Sequence, residues 1–203
     1  DSKRYERIKN VHIHRLGLGL PKVDGIILAL FGHTYARKLM KKYSYDLIWS
    51  IMASYGAFSA VRVKEKTGIP FLLTLQEGDS FEYIYDRVKY VRGSFNRIFS
   101  CADGIQAIST YLLAWGKALG YFGTHGVVIP NGVNIDAFTA IHSESDCIRT
   151  RTSFGFPLNA FVLITSSRLE VKNGIGDVIT ALNDLPPRVC LVVCGSGSLE
   201  KTL

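Results

Sequence analysis

The sequence lacks a long hydrophobic run. Its longest uninterrupted apolar stretch covers residues 26–31, whereas a membrane-spanning helix needs roughly 20 apolar residues. The first ten residues, DSKRYERIKN, contain no apolar segment of the kind that marks a signal peptide. With 47% hydrophobic and 20% charged residues, the composition is typical of a globular protein. We therefore expect a cytoplasmic location.

Cysteine is also scarce, and the four cysteines are Cys101, Cys147, Cys190 and Cys194. The last two fall on one predicted strand, which separates their Cα atoms by about 13 Å, well beyond the ~7 Å limit for a disulfide. Because no second cysteine or histidine pair has the spacing of metal ligands, we expect reduced core cysteines and no metal. His12 and His14 share one face of a predicted strand, and we interpret them as ordinary histidines.

Acidic residues are outnumbered in only one half of the chain. Residues 1–100 contain 17 lysines and arginines against 9 acidic residues, whereas residues 101–203 contain 7 against 8. The net charge of +7 therefore belongs to the first half. A basic surface of this kind attracts anions, and the candidates are acidic lipids, a phosphorylated substrate or nucleic acid.

What the sequence does contain is an alternation of short apolar strands with helices. The predicted strands cover residues 9–16, 46–50, 71–76, 104–109, 126–130, 161–165 and 189–194. The predicted helices cover residues 23–43, 55–67, 81–101, 110–119 and 176–185. This order predicts an α/β fold with parallel sheets, helices on both sheet faces and right-handed crossovers.

A polar segment divides the alternation into two parts. Residues 139–158 are interrupted by Gly155 and Pro157, and we interpret them as an interdomain connection with one helical turn. Residues 1–138 then form a first doubly wound domain, and residues 159–203 begin a second. Two strands are too few for a complete domain, so we expect the second domain to be truncated at its C-terminus and the chain to be a fragment.

Ligands of doubly wound sheets bind outside the carboxyl ends of the strands. In the segment LITSSRLEVKNG, residues 163–174, Arg168 and Lys172 follow a strand end just before a predicted helix. Two cations beside a helix N-terminus suit a diphosphate. From the spacing alone, solvated side chains of an ordinary turn are an equally good interpretation.

Three further loops leave strand ends. Gly195 and Gly197 in GSGSLEKTL allow either close approach of a ligand or a tight turn. Gln76, Glu77 and Asp79 in LQEGDS would offer hydrogen-bond acceptors to a hydroxylated ligand. The Asn131-Gly132 pair in IPNGVN is first of all a turn signal.

The predicted helix 81–101 is rich in aromatic and basic residues. One interpretation places it on an anionic membrane. The other, which we favour, buries its apolar side chains and leaves its basic ones in water. The buried set would be Tyr83, Val88, Val91, Phe95 and Phe99, and the solvated set Arg87, Lys89, Arg92 and Arg97.

Four motifs occur in order along the chain: ADGIQAIST, VIPNGVNIDAF, SSRLEVKNGIGDV and CGSGSLEKTL. Together they resemble the retaining nucleotide-sugar glycosyltransferases of family 4, which have the GT-B fold of two Rossmann-like domains. The positions that match are Asp103, Ser109, Asn131, Gly132, Phe138, Arg168, Lys172, Gly195 and Gly197. The resemblance covers nearly the whole chain.

The resemblance implies a hexosyltransferase of polysaccharide biosynthesis. Such an enzyme moves a hexose, with retention of configuration, from a nucleoside diphosphate sugar to a glycan or lipid-linked acceptor. Arg168 and Lys172 would be the catalytic residues, because they hold the donor diphosphate and stabilise the leaving group, with Gly195 and Gly197 beside it. The residues implied for the sugar and acceptor cleft are Gln76, Glu77, Asp79, Ser109 and Asn131. No cofactor, metal or nucleic acid is implied, and contact with an anionic membrane from the cytoplasmic side is compatible with the basic half.

The sequence departs from the family pattern in three places. The paired glutamates that hold the donor sugar do not occur before Leu203, and the first strand with its glycine-rich loop is not found. Where many members have a histidine, this chain has Gln76 and Glu77. We therefore expect the fragment itself to be inactive. A GT-B-fold nucleotide-sugar 2-epimerase and a non-catalytic α/β module that binds anionic surfaces remain the alternatives.

Overall fold

The computed structural model describes residues 4–139 and 143–203. Contacts between residues divide the chain into two compact units, Asp1–Val133 and Asn134–Leu203. The sequence placed a first domain at residues 1–138 and a connection at 139–158, so the observed division falls slightly earlier than the expected one.

The first unit opens with a β-hairpin. Strands β1 (Tyr5–Ile8) and β2 (Val11–His14) pair antiparallel, with Ile8 opposite Val11. Lys9 has a left-handed backbone with φ of 53° and forms the turn with Asn10. The single strand predicted over residues 9–16 is therefore wrong at its start, because these two residues reverse the chain.

A four-stranded parallel sheet forms the centre of the first unit. Its strands lie in sequence order and are β3 (Ile48–Ile51), β4 (Phe71–Leu75), β5 (Gly104–Ala107) and β6 (His125–Val128). The connecting helices are α1 (Pro21–Met40), α2 (Tyr55–Thr67), α3 (Phe81–Val88), α4 (Arg92–Ser100) and α5 (Thr110–Ala118). Because all four strands are parallel, their carboxyl ends meet at one edge of the sheet.

The core of the first unit packs around strand β4. Phe71, Leu73 and Leu75 are fully buried, as expected for a central parallel strand with both faces covered. On one side Phe95 and Phe99 contact each other and Trp115. The rings of Phe99 and Trp115 meet edge to face, with their centroids 5.1 Å apart. This packing holds the carboxyl end of β4 in a rigid setting.

The predicted helix 81–101 is broken rather than continuous. A 3₁₀ turn over Lys89–Val91 separates α3 from α4. Val88 and Val91 both leave helical backbone angles, where β-branched side chains disfavour a helix. The break rotates α4 so that Phe95 and Phe99 are buried as predicted, while Tyr83 and Val91 stay 50% and 47% exposed against the prediction.

The second unit contains a parallel strand pair. Strands β7 (Phe161–Ser166) and β8 (Val189–Cys194) pair over their full length, with Phe161 opposite Val189. A 3₁₀ turn (Val171–Asn173) and helix α8 (Ile175–Ala181) connect them, followed by a second 3₁₀ turn (Leu182–Asp184) where the predicted helix 176–185 continued.

The segment expected to be a connection contains a regular helix. After α6 (Ile135–Phe138), helix α7 runs over Glu144–Ser153, whereas one helical turn was expected. Ser143 caps α7 reciprocally with Asp146, because each side chain bonds the backbone N–H of the other residue. Residues 140–142 of the expected connection lie outside the described residues.

All four cysteines are unpaired thiols, but the expectation of four core residues is wrong. Cys147 and Cys194 are exposed, and Cys101 and Cys190 are only partly buried. Cys147 lies on α7, which buries none of its residues. No helix in the described part of the chain is both long and apolar enough to cross a bilayer.

Candidate functional site

The loop after β7 carries the two cations that the sequence analysis singled out. Arg168 and Lys172 are both exposed. Asn173 donates from Nδ2 to the Arg168 carbonyl oxygen at 2.6 Å, which fixes the curve of the loop. Gly174, with φ of 66°, turns the chain into α8. Because α8 has only seven residues, its dipole contributes little, and any preference for an anion must come from the two side chains.

A third charged residue, which sequence reasoning missed, lies between these cations. The Glu170 carboxylate accepts hydrogen bonds from the Ser198 hydroxyl at 2.8 Å and from the Ser198 N–H at 3.3 Å. These bonds, together with the positive charges of Arg168 and Lys172, lower the pKa of Glu170. Both cations therefore lie within electrostatic reach of one carboxylate. The pattern R-x-E-x-K was the available signal.

Gly195 and Gly197 serve the packing of two loops. A Cβ at Gly195 would overlap the Ser167 carbonyl oxygen, and one at Gly197 would lie 2.7 Å from the Leu169 nitrogen. The loops are also bonded to each other, since the Leu169 N–H donates to the Ser196 carbonyl at 3.0 Å. Close contact between the two backbones therefore requires glycine at both positions. The sequence alone had offered two other reasons for these glycines, the approach of a ligand and a tight turn.

The candidate cleft residues of the first unit follow the carboxyl ends of three neighbouring strands. Gln76, Glu77 and Asp79 come after β4, Ser109 after β5 and Asn131 after β6. The parallel sheet brings these positions to one edge. Ser109 also caps α5 by accepting the Leu112 N–H at 3.2 Å.

Glu77 is the most unusual of these residues. Its Oε1 accepts the Ala53 N–H at 2.7 Å, and Ala53 follows Met52, which has a left-handed backbone with φ of 67°. Its Oε2 is buried and has no hydrogen-bond partner among the residues that the structure describes. Burial raises the pKa of Glu77. A buried carboxyl with an unsatisfied oxygen is typical of a site that binds a ligand.

Glu77 lines a cavity of about 320 Å³ between the ends of β3 and β4 and helix α3. Arg87 of α3 also lines it and donates to the hydroxyls of Tyr83 at 3.0 Å and Tyr55 at 3.3 Å. We call this the Glu77–Arg87 cavity, and its lining includes Tyr55, Phe58, Glu77, Tyr83, Arg87 and Trp115. Sequence reasoning missed its tyrosines as site residues and left Arg87 among the solvated cations.

Over residues 4–139 and 143–203, no group of three or more histidine, cysteine, aspartate or glutamate side chains could hold a metal ion. His12 and His14 instead bond tyrosine hydroxyls, at 2.8 Å to Tyr5 and 2.9 Å to Tyr35.

The parallel α/β architecture is that of the GT-B glycosyltransferases. HepE of Anabaena, solved in complex with UDP, superposes with a TM-score of 0.69 at 20% identity over 90% of this chain and 47% of its own. Sucrose-phosphate synthase of Thermosynechococcus elongatus superposes with a TM-score of 0.70 at 17% identity over 95% of this chain and 49% of its own. The chain thus spans about half the length of these structures.

The family follows from the sequence match. Residues 1–137 match the model described as Glycosyltransferase Family 4, and the chain belongs to that family. It is also similar to TuaC of Bacillus subtilis strain 168, a protein assigned to teichuronic acid biosynthesis as a glycosyltransferase. The two are 29% identical over 161 residues, which cover 78% of this chain and 39% of TuaC. The resemblance seen in the sequence motifs is therefore confirmed.

Proposed function

We propose that the protein is a retaining hexosyltransferase that uses a nucleoside diphosphate sugar as donor and a glycan or lipid-linked acceptor. Family membership supports a glycosyltransferase. The assignment of TuaC to teichuronic acid biosynthesis supports a polysaccharide acceptor, and the complexes of HepE with UDP and with UDP-glucose support a uridine nucleotide donor. The family match does not favour the 2-epimerase or the non-catalytic module.

The donor diphosphate would bind Arg168 and Lys172. The observation that carries this proposal is that both cations are exposed on the loop that leaves the carboxyl end of β7, where Ser198 holds the Glu170 carboxylate that stands between them in the sequence. A diphosphate would compete with Glu170 for them, while Ser198 continues to hold the carboxylate. As the glycosidic bond breaks, the two charges would stabilise the departing diphosphate more than the bound donor, which accelerates the reaction.

The experiment is titration calorimetry of the chain with UDP. We expect Arg168→Ala and Lys172→Ala each to weaken binding about tenfold or more, since a charge-assisted hydrogen bond contributes about 1.5–3 kcal/mol. Arg188→Ala is the matched control, because Arg188 is exposed and directly precedes β8, at the opposite end of the strand from the candidate site. Unchanged UDP affinity in both site variants would refute the diphosphate role.

We also propose that the first unit contacts an anionic membrane. The support is a groove between α1 and α2, the basic groove, defined by Arg37, Lys38, Lys41 and Lys66. None of these four side chains forms an ion pair within the described residues. The nearby acidic residue of α2, Glu65, is paired with Arg97, so the positive charge of the groove is uncompensated.

A further inference from the structure

We propose that the Glu77–Arg87 cavity is an acceptor subsite that selects a sugar bearing an anionic group, either a carboxylate or a phosphate. Arg87 binds the anion, Glu77 binds a sugar hydroxyl, and the aromatic wall contacts the ring. This inference rests on the proposed transferase function and adds the chemical class of the acceptor. The residues that carry it lie on β-strand ends and helices of the first unit alone.

Arg87 is held ready for an anion. The hydroxyls of Tyr83 and Tyr55 accept from two of its nitrogens, and they raise the pKa of Arg87. The Tyr55 ring is itself fixed, because it packs so closely on α1 that a Cβ at Gly25 would lie 2.6 Å from it. A guanidinium has five N–H donors, so donors remain after the two tyrosines are served.

The charge of Arg87 is not neutralised by a neighbour. Within residues 4–139 and 143–203, no carboxylate forms an ion pair with it. Asp79 also lines this cavity, and it forms no ion pair with Arg87. A planar, uncompensated guanidinium at the wall of a cavity matches the geometry of a carboxylate or phosphate.

Glu77 provides the second polar contact. Its Oε1 is occupied by the Ala53 N–H, whereas Oε2 has no partner among the described residues. A sugar hydroxyl can donate to this oxygen when the carboxyl is ionised and accept from it when the carboxyl is protonated, so it satisfies the oxygen in either state. A purely apolar occupant would leave the buried oxygen unsatisfied.

The remaining wall suits one sugar ring. Tyr55 and Tyr83 line it with 40% and 50% of their surface exposed, and Phe58 lines it partly exposed. Such aromatic faces pack against the C–H groups of sugars. Phe95 and Trp115 also line the cavity but are almost fully buried. Trp115 cannot swing away easily, since its Nε1 donates to the Tyr85 hydroxyl at 2.9 Å and its ring stacks on Phe81 at 4.7 Å. The volume of about 320 Å³ lies at the lower end of ligand cavities.

Trp115 gives a direct experiment. The chain has two tryptophans, and Trp49→Phe leaves Trp115, in the cavity wall, as the only tryptophan when fluorescence is excited selectively at the red edge of the absorption band. Glucuronate, glucose 6-phosphate and glucose are titrated separately. We expect saturable fluorescence changes for one or both anionic sugars, with dissociation constants at least tenfold below that of glucose. A response to only one of the two identifies the carboxylate or the phosphate as the preferred group.

Variants show whether Arg87 is responsible. We expect Arg87→Gln to abolish the preference for the anionic sugar, whereas Arg92→Gln, the control, preserves it because Arg92 stacks on Tyr85 and does not line the cavity. Glu77→Gln should lower the affinity for all three sugars by a similar factor. Equal affinity for glucose and the anionic sugars, no saturable response to any of them, or equal loss in both arginine variants would overturn the inference.

Binding of UDP to the same samples is measured by titration calorimetry. Normal UDP binding without selectivity for anionic sugars would refute this inference and leave the proposed function standing. Loss of the UDP response as well would instead count against the transferase proposal.

Discussion

At the scale of single residues, the loop after β7 depends on its neighbour. Ser167 and Leu169 contact the backbone of the GSGS turn so closely that two side chains are excluded there. The carboxylate of Glu170 reaches the same turn through Ser198. Arg168 and Lys172 therefore lie on a loop that the GSGS turn holds in place, and substitutions in the turn should also act on them through this contact.

Gly195→Ala tests this dependence. The added Cβ would overlap the Ser167 carbonyl oxygen, so one loop must shift, at a cost of about 1–3 kcal/mol in unfolding free energy. UDP affinity should fall with it, because the loop carries Arg168. Denaturant unfolding and UDP titration measure the two effects.

Gly176→Ala is the control for that change. No atom lies within 4 Å of a Cβ at this position of α8, and alanine favours a helix over glycine by about 1 kcal/mol. We expect equal or greater stability and unchanged UDP affinity. If Gly195→Ala behaves like this control, the close loop contact does not matter.

At the scale of elements, predictions succeeded where local signals were complete. Helix α2 begins and ends where the sequence predicted, because Gly68 supplies the left-handed residue that ends it. Strand β8 was also predicted residue for residue. Both segments combine a clear apolar pattern with a strong stop signal, and neither depends on tertiary contacts for its limits.

The missed elements depend on contacts that a sequence pattern does not show. The hairpin turn at Lys9 lacks glycine, and the break at Val88 and Val91 lies beside the segment whose Phe95 and Phe99 join the core. At the candidate cavity, sequence reasoning found Glu77 from its place after a strand. The sequence does not reveal that the Tyr55 hydroxyl accepts a hydrogen bond from Arg87, because only the fold brings α2 and α3 together.

Helix α7 provides a prediction at this scale. It has no buried residue, so its cap should contribute much of its stability. We expect Ser143→Ala to lower the unfolding free energy of the second unit by roughly 1 kcal/mol and to reduce its helical circular dichroism. Ser153→Ala, at the other end of α7, removes only a bond to the Thr150 carbonyl and should have a smaller effect. Equal effects would mean that the capping box is unimportant.

At the scale of the whole molecule, charge is distributed by the fold as well as by the sequence. The excess of basic residues in the first 100 positions does not spread evenly over the first unit. Some cations are paired, such as Lys64 with Asp103 and Arg97 with Glu65, while those of the basic groove are not. Anion attraction should therefore concentrate between α1 and α2 rather than on the α3–α4 segment, for which membrane contact was the less favoured of the two interpretations.

Vesicle binding distinguishes these two surfaces. Near an anionic membrane each lysine or arginine contributes about 1 kcal/mol, so Arg37→Glu combined with Lys41→Glu should weaken cosedimentation with phosphatidylglycerol-containing vesicles more than tenfold at low salt. Lys89→Glu combined with Arg92→Glu changes the net charge equally but lies on the 3₁₀ turn and α4, and it should weaken binding much less. Salt should reduce binding of the unaltered chain, because exposed charges are screened. Equal losses in the two double variants would show that net charge alone drives binding, and a larger loss in the second would place the membrane contact on α3 and α4 instead.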